Sequence, residues 1–241
     1  MKLRGNDVAI MGTMAALIIV AGYIKLTPVV GATSYQFSMG SVALQLVAVI
    51  LGPILGVVTA FAGSFAGQFL TGQGGTFPLF VPATVGALVT ALLVWGRERE
   101  GVVASLAVIA IWFLFPVGRE LWYYPYVHAI FLAAILAVRP LWGDWRALPR
   151  AKQTVVLAMY CTMGLLCDQL TGSILAIPIF NLTADMYEAV LFIYPVERIL
   201  LGVASALVAV PVLTALEKAA FPIIQRLERG KIYPTEDDYR I

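Results

Sequence analysis

Charge is scarce in this sequence. Asp, Glu, Lys and Arg make up 12% of the 241 residues, about half the share of an ordinary soluble domain. Residues that commonly hold metals or act as nucleophiles are also thin: one histidine, His128, and two cysteines, Cys161 and Cys167. The cysteines lie six apart in one apolar stretch with no second pair, so they read as buried free thiols rather than a zinc site or a disulfide. There is no phosphate-binding Gly-x-x-x-x-Gly-Lys loop, no His-Glu-x-x-His pair and no dinucleotide glycine pattern. No catalytic residue, metal or cofactor is therefore assigned, and the chain is not expected to be an enzyme. The longest connection expected in the cytoplasm, residues 139–152, falls far short of the roughly 50 residues that a nucleotide-binding domain needs. Any ATP hydrolysis must come from a partner. A formal charge of +2 is too small to suggest a nucleic-acid partner.

What fills the chain instead is apolar: 61% of it is hydrophobic and the mean hydropathy is +0.89. Residues 52–96 are central, two apolar segments joined by the Gly-rich turn of residues 71–76. Gly52, Gly56, Ala60 and Ser64 repeat every four residues, and so do Gly63, Gly67 and Thr71. Small residues at that spacing let helices approach closely in a bilayer, where lipid tails supply no hydrophobic drive for association. The N-terminal run has the basic flank of a signal peptide but is too long and lacks a clear cleavage site, so it reads as a first span over residues 7–26. A polar segment, 27–38, follows. Further helices are expected over 39–50, ending at a Gly52-Pro53 turn, then the 52–96 hairpin, then 102–118 broken near Pro116, 127–138, 154–175 and 195–216.

The fold expected is an all-α membrane protein, a polytopic bundle of about six to eight spans and a single integral domain over 1–241, the last roughly 20 residues being a cytoplasmic tail. Eight crossings place both termini on one side. Of the 16 Lys and Arg residues, only Lys25, Arg119 and Arg198 fall on the opposite side, so the positive-inside rule makes the termini cytoplasmic.

Polar groups at membrane depth gather toward the outer face. Asp168 costs about 2.5–3.5 kcal/mol at the bilayer centre on insertion scales, so it should face protein or water, with Gln169 adjacent. Gly164, Asp168, Thr171 and Gly172 share one helix face. An interhelical bond or a ligand contact are both open for Asp168. Arg119 and Arg198 each have an acidic neighbour, Glu120 and Glu197. Trp122, Tyr123, Tyr124, Tyr126, Tyr187 and Tyr194 lie at the outer level with Tyr35 and Gln36, as an interfacial belt or as a wall for a flat ligand. His128 is either a hydrogen-bonded structural residue or a ligand contact. Gln45 and Gln68 lie deeper and could bridge helices.

The runs FSMGSVALQLVAVILGPILGVVTAFAGSFAGQFLTG and FPLFVPATVGALVTALLVWG, with YPVERILLGVASALVAVPVLTAL near the end, resemble the substrate-binding S component of energy-coupling factor vitamin transporters. The likeness covers residues 7–96 and 194–218. It implies a subunit that binds a small solute such as a vitamin and relies on a coupling membrane subunit and ATPase subunits. The candidate binding set, read from the polar and aromatic groups toward the outer face, is Tyr35, Gln36, Arg119, Trp122, His128, Asp168, Gln169 and Arg198. In that family a small-x-x-x-small face of helix 1 meets the coupling subunit; here Gly12 and Ala16 match, with Ala9 beside them. Two other classes remain open: an ion- or proton-coupled secondary transporter with Asp168 as coupling carboxylate, and a scaffold for other membrane proteins.

Overall fold

The computed structural model describes residues 5–29, 32–74 and 78–219. The expected cytoplasmic tail lies almost wholly outside these residues. The order is α1 (Gly5–Gly22), β1 (Lys25–Val29), β2 (Ala32–Ser38), α2 (Gly40–Leu70), α3 (Val81–Val94), α4 (Glu98–Trp112), α5 (Pro116–Glu120), α6 (Tyr126–Trp142), a 3₁₀ turn (Trp145–Ala147), α7 (Arg150–Phe180), α8 (Ala184–Glu188) and α9 (Ile193–Lys218). Three helices are long and apolar enough to cross a membrane: Gly40–Leu70, Arg150–Phe180 and Ile193–Lys218. Asp7–Gly22, Val81–Val94 and Tyr126–Trp142 are apolar but shorter.

α2 holds one non-helical residue, Gly52 (φ 76°, ψ −170°), and there the chain doubles back. A side-chain carbon on Gly56 would sit 3.1 Å from the Val47 carbonyl oxygen. In a continuous helix those residues are about 13.5 Å apart along the axis. Limbs 40–51 and 53–70 are therefore antiparallel, as the Gly-Pro pair predicts. Both far ends return to α1: a carbon on Gly40 would lie 3.5 Å from the Gly22 Cα, and one on Gly22 would lie 3.6 Å from Thr71 Cγ2. Trp95 fills the turn. Its ring stands 2.7 Å from where a Gly52 side chain would begin, and its Nε1 donates to the Val49 carbonyl at 3.0 Å.

α7 crosses α3 at two glycines, where a carbon on Gly86 would meet the Gly164 carbonyl oxygen at 2.7 Å. Beside the crossing, the Thr90 hydroxyl donates to Gln45 Oε1, so Gln45 bridges helices as expected. α9 runs antiparallel to α7, with Gly202 against Thr162 and Arg150 paired with Glu217 at 2.7 Å. Arg139 of α6 pairs with Glu98 of α4. Glu98 also accepts from the Tyr160 hydroxyl at 3.0 Å.

These contacts define two ends. One gathers Gly52, Trp95 and Trp145, whose Nε1 donates to the Val94 carbonyl at 3.1 Å, together with the ion pairs of Arg97, Arg139, Arg146 and Arg150. The other gathers Gly22, Gly40, Thr71 and the β-hairpin. Limb 40–51 is entirely buried and rises only about 18 Å, and the 14 residues of α3 rise about 21 Å, while the 31 residues of α7 rise about 46 Å. With their charged-end termini aligned by Trp95, the two central elements stop short at the opposite end.

The all-α expectation holds for the bulk of the described residues, with one two-stranded hairpin added to it. Residues 25–26, read as the end of helix 1, instead open β1, which pairs antiparallel with β2 through Lys25↔Ser38 and Val29↔Ala32. Thr, Val, Tyr and Phe in these segments favour strands, but runs so short carry little periodic signal. Helix ends also differ: α4 starts at Glu98, and α7 runs over Arg150–Phe180 rather than 154–175.

Gly52→Ala tests the turn. Its φ lies in the region open to glycine and its side chain would collide with Trp95, so the substitution should cost about 2–4 kcal/mol, read as a lowered melting temperature of the detergent-solubilised protein.

Candidate functional site

A cavity occupies the space above the shortened elements, with about 120 Å³ open to water centres. One water needs about 10–15 Å³ on that measure, so the space suits several waters or a small organic molecule. Its floor and walls come from Ser41 and Leu44 of the first limb, Ser64 and Gln68 of the second, and Pro82 and Ala83 of α3. Asp168, Gln169, Gly172 and Ser173 of α7 form another side, and Tyr187 and Tyr194 complete it. Lys25 and Ser38, the paired ends of the β-hairpin, stand at its rim. Partial burial holds the Lys25 ammonium below its ordinary pKa.

Asp168 reaches the cavity because glycine stands opposite it. A carbon on Gly86 would lie 2.8 Å from Asp168 Cβ, and Gly172, one turn on, faces Pro82. The shared face read from the sequence is therefore the face α7 turns to α3. Gln169 Nε2 donates to the Tyr124 hydroxyl at 2.7 Å and to Ser173 Oγ at 3.3 Å. The Tyr187 hydroxyl donates to the Ser173 carbonyl at 2.7 Å. Tyr124 is stacked on Trp112 at 4.9 Å between centroids, and Tyr187 meets both rings edge-on. This aromatic block holds the amide nitrogen of Gln169 and leaves its Oε1 buried without a partner.

The residues expected to bind solute separate. Asp168 and Gln169 line the cavity. Arg198 is wholly buried and does not line it, but attracts Asp168 electrostatically. His128 is buried, with Nε2 on the Leu166 carbonyl at 2.8 Å, away from the cavity. Arg119 and Trp122 are exposed. Tyr35 and Gln36 fall in β2, their side chains outside the described residues. Helix 102–118 contributes nothing to its lining. Beyond the cavity, the Tyr123 hydroxyl donates to Glu188 at 3.0 Å, and that bond raises the phenol's pKa.

Ser64, Ser173 and Lys25 were missed. Ser64 and Gln68 are one helical turn apart, as are Gln169 and Ser173, so polar i,i+4 pairs on apolar helices were the available signal. In the sequence Ser64 stands out chiefly as one of a row of small packing residues.

Comparison with known proteins adds one relative. The chain is 24% identical over 204 residues to an uncharacterized protein of Methanocaldococcus jannaschii, across 81% of this chain and 66% of that protein. It thus spans just under two thirds of the relative's length. No known family's sequence profile matches the chain, and no solved structure matches it.

Tyr124→Phe should lower stability by about 1–2 kcal/mol, because it leaves the buried Gln169 amide with one weak partner. Trp122→Ala, on an exposed ring, should change the melting temperature little; thermal denaturation of both variants in one detergent makes the comparison.

Proposed function

We propose that this chain is a solute-binding membrane subunit of the kind that the S components of energy-coupling factor transporters represent. It would cross the bilayer eight times with both termini in the cytoplasm. The observation that carries the reading is the cavity with a polar wall and a β-hairpin at its rim, at the end of the bundle opposite the ion pairs. The positive-inside rule puts the arginine-rich end in the cytoplasm, so the cavity opens outward, where an importer meets its solute. Limb 40–51 and α3 are too short to span about 30 Å of hydrocarbon, but protein surrounds much of both and the cavity occupies the remaining depth.

A second support is the free face of α1. Ala9, Gly12 and Ala16 are exposed, and a carbon added at Gly12 would meet nothing within 4 Å. Small residues at this spacing accept another helix backbone to backbone. Gly12 is ten residues from Gly22 at the cavity, about 15 Å along the helix, so partner contact and solute binding are separable. That separation, with a sequence that carries no nucleotide-binding motif, supports coupling to ATPase subunits through a membrane partner. The rival, a secondary transporter, draws on Asp168 lying within electrostatic reach of Arg198 and Glu197.

Two experiments divide these readings. Gly12→Leu with Ala16→Leu should abolish ATP-dependent uptake in cells while solute binding by the purified chain survives. Accumulation by the wild-type chain alone in liposomes, driven by an ion gradient, would instead establish the secondary transporter. For topology, cysteines at Glu98 and Arg146, in a background with Cys161 and Cys167 replaced, should resist an impermeant thiol reagent in intact cells, while one at Gln73 should react. External labelling at Arg146 would refute the eight-pass arrangement.

A further inference from the structure

The cavity wall has a chemical bias toward acceptors. Asp168 lines the cavity, is partly exposed within it and makes no hydrogen bond to any described residue. Its neighbour Gln169 is 3% exposed, its nitrogen is engaged by Tyr124 and Ser173, and its carbonyl oxygen has no partner. Across the cavity the Ser64 hydroxyl, which can accept as well as donate, is buried and unpartnered. A buried acceptor without a donor costs free energy, and a solute supplying N–H groups removes that cost.

Charge points the same way. Around Asp168 the acting charges are Arg198 and Glu197. Both Glu197 carboxylate oxygens are buried without hydrogen-bond partners. Two carboxylates and one guanidinium therefore act on one another beside the cavity, where burial makes an unpaired charge costly. Lys25 stands at the rim. Phe80, Tyr187 and Tyr194 supply apolar and aromatic wall around this polar patch.

We infer that the cavity takes a small cationic solute, with an ammonium or amidinium group donating N–H bonds to the Asp168 carboxylate and the Gln169 carbonyl and its apolar body against the aromatic side. This rests on the solute-binding reading and narrows it to one class of ligand. Anionic solutes would meet the Asp168 charge directly, and neutral acceptors would leave the Gln169 carbonyl unpaired.

Three probes of similar size and different charge test it: benzylammonium, benzyl alcohol and benzoate, titrated against the purified full-length chain with melting temperature and intrinsic fluorescence as readouts. Benzylammonium should bind most tightly. Asp168→Asn should weaken it about tenfold or more, the range expected for a lost charge-assisted hydrogen bond, whereas Asp168→Glu, which keeps the charge, should retain binding. Glu197→Gln, outside the wall, should weaken benzylammonium severalfold without affecting benzyl alcohol. Tighter binding of benzoate or benzyl alcohol would overturn the cationic class while leaving a solute-binding cavity in place. No binding by any probe, or benzylammonium binding equal in wild type and Asp168→Asn, would overturn it as well; the solute-binding reading itself is judged separately by uptake.

Discussion

The turn at Gly52 governs the rest of the molecule. A positive φ and a tryptophan ring in the space of a side chain leave glycine as the residue that fits. Because the chain reverses there, residues 40–70 form two limbs instead of one long rod, and the first limb is short and buried. Trp95 binds the Val49 carbonyl as well as filling the turn, which aligns α3 with the limb at the arginine-rich end. The deficit in length appears at the opposite end, where α7, more than twice as long as either element, continues past them. The cavity is the geometric consequence of pinning short helices at one end of a longer bundle.

Glycine acts a second time at the Gly86–Gly164 crossing. Close contact between α3 and α7 fixes the rotation of α7, and that rotation turns Asp168 toward the cavity. The Thr90–Gln45 bond beside the crossing ties in the buried limb. Polar groups here serve two ends: Gln45 holds helices together, while Asp168 and the Gln169 carbonyl are left for something else. Separating these roles is what makes the upper part of the bundle a candidate site rather than more core.

Much of this was legible in the sequence because membrane helices have strong, long signals. The apolar segments, the Gly52-Pro53 reversal and the α7 face bearing Gly164, Asp168 and Gly172 all follow from hydropathy and from small-residue spacing. The β-hairpin was not legible, since its strands have five and seven residues and follow directly on an apolar helix. The wider binding set also exceeded what the sequence could resolve. Trp122 and Arg119, expected at the same outer level as Asp168, are exposed and do not line the cavity, and depth along a helix says nothing about which way a residue faces across the bundle. His128 is occupied by the Leu166 carbonyl, a contact between residues 38 positions apart that no local pattern encodes.

The cavity and the exposed face of α1 lie at different depths of one molecule. The most direct test is a structure determined from protein purified out of its native membrane with whatever solute accompanies it. Density for a small molecule between Ser64, Asp168 and Gln169, beneath the Lys25–Ser38 end of the hairpin, is the predicted result. A cavity that stays empty or is filled by a lipid chain, with the co-purifying solute bound elsewhere on the bundle, would contradict it.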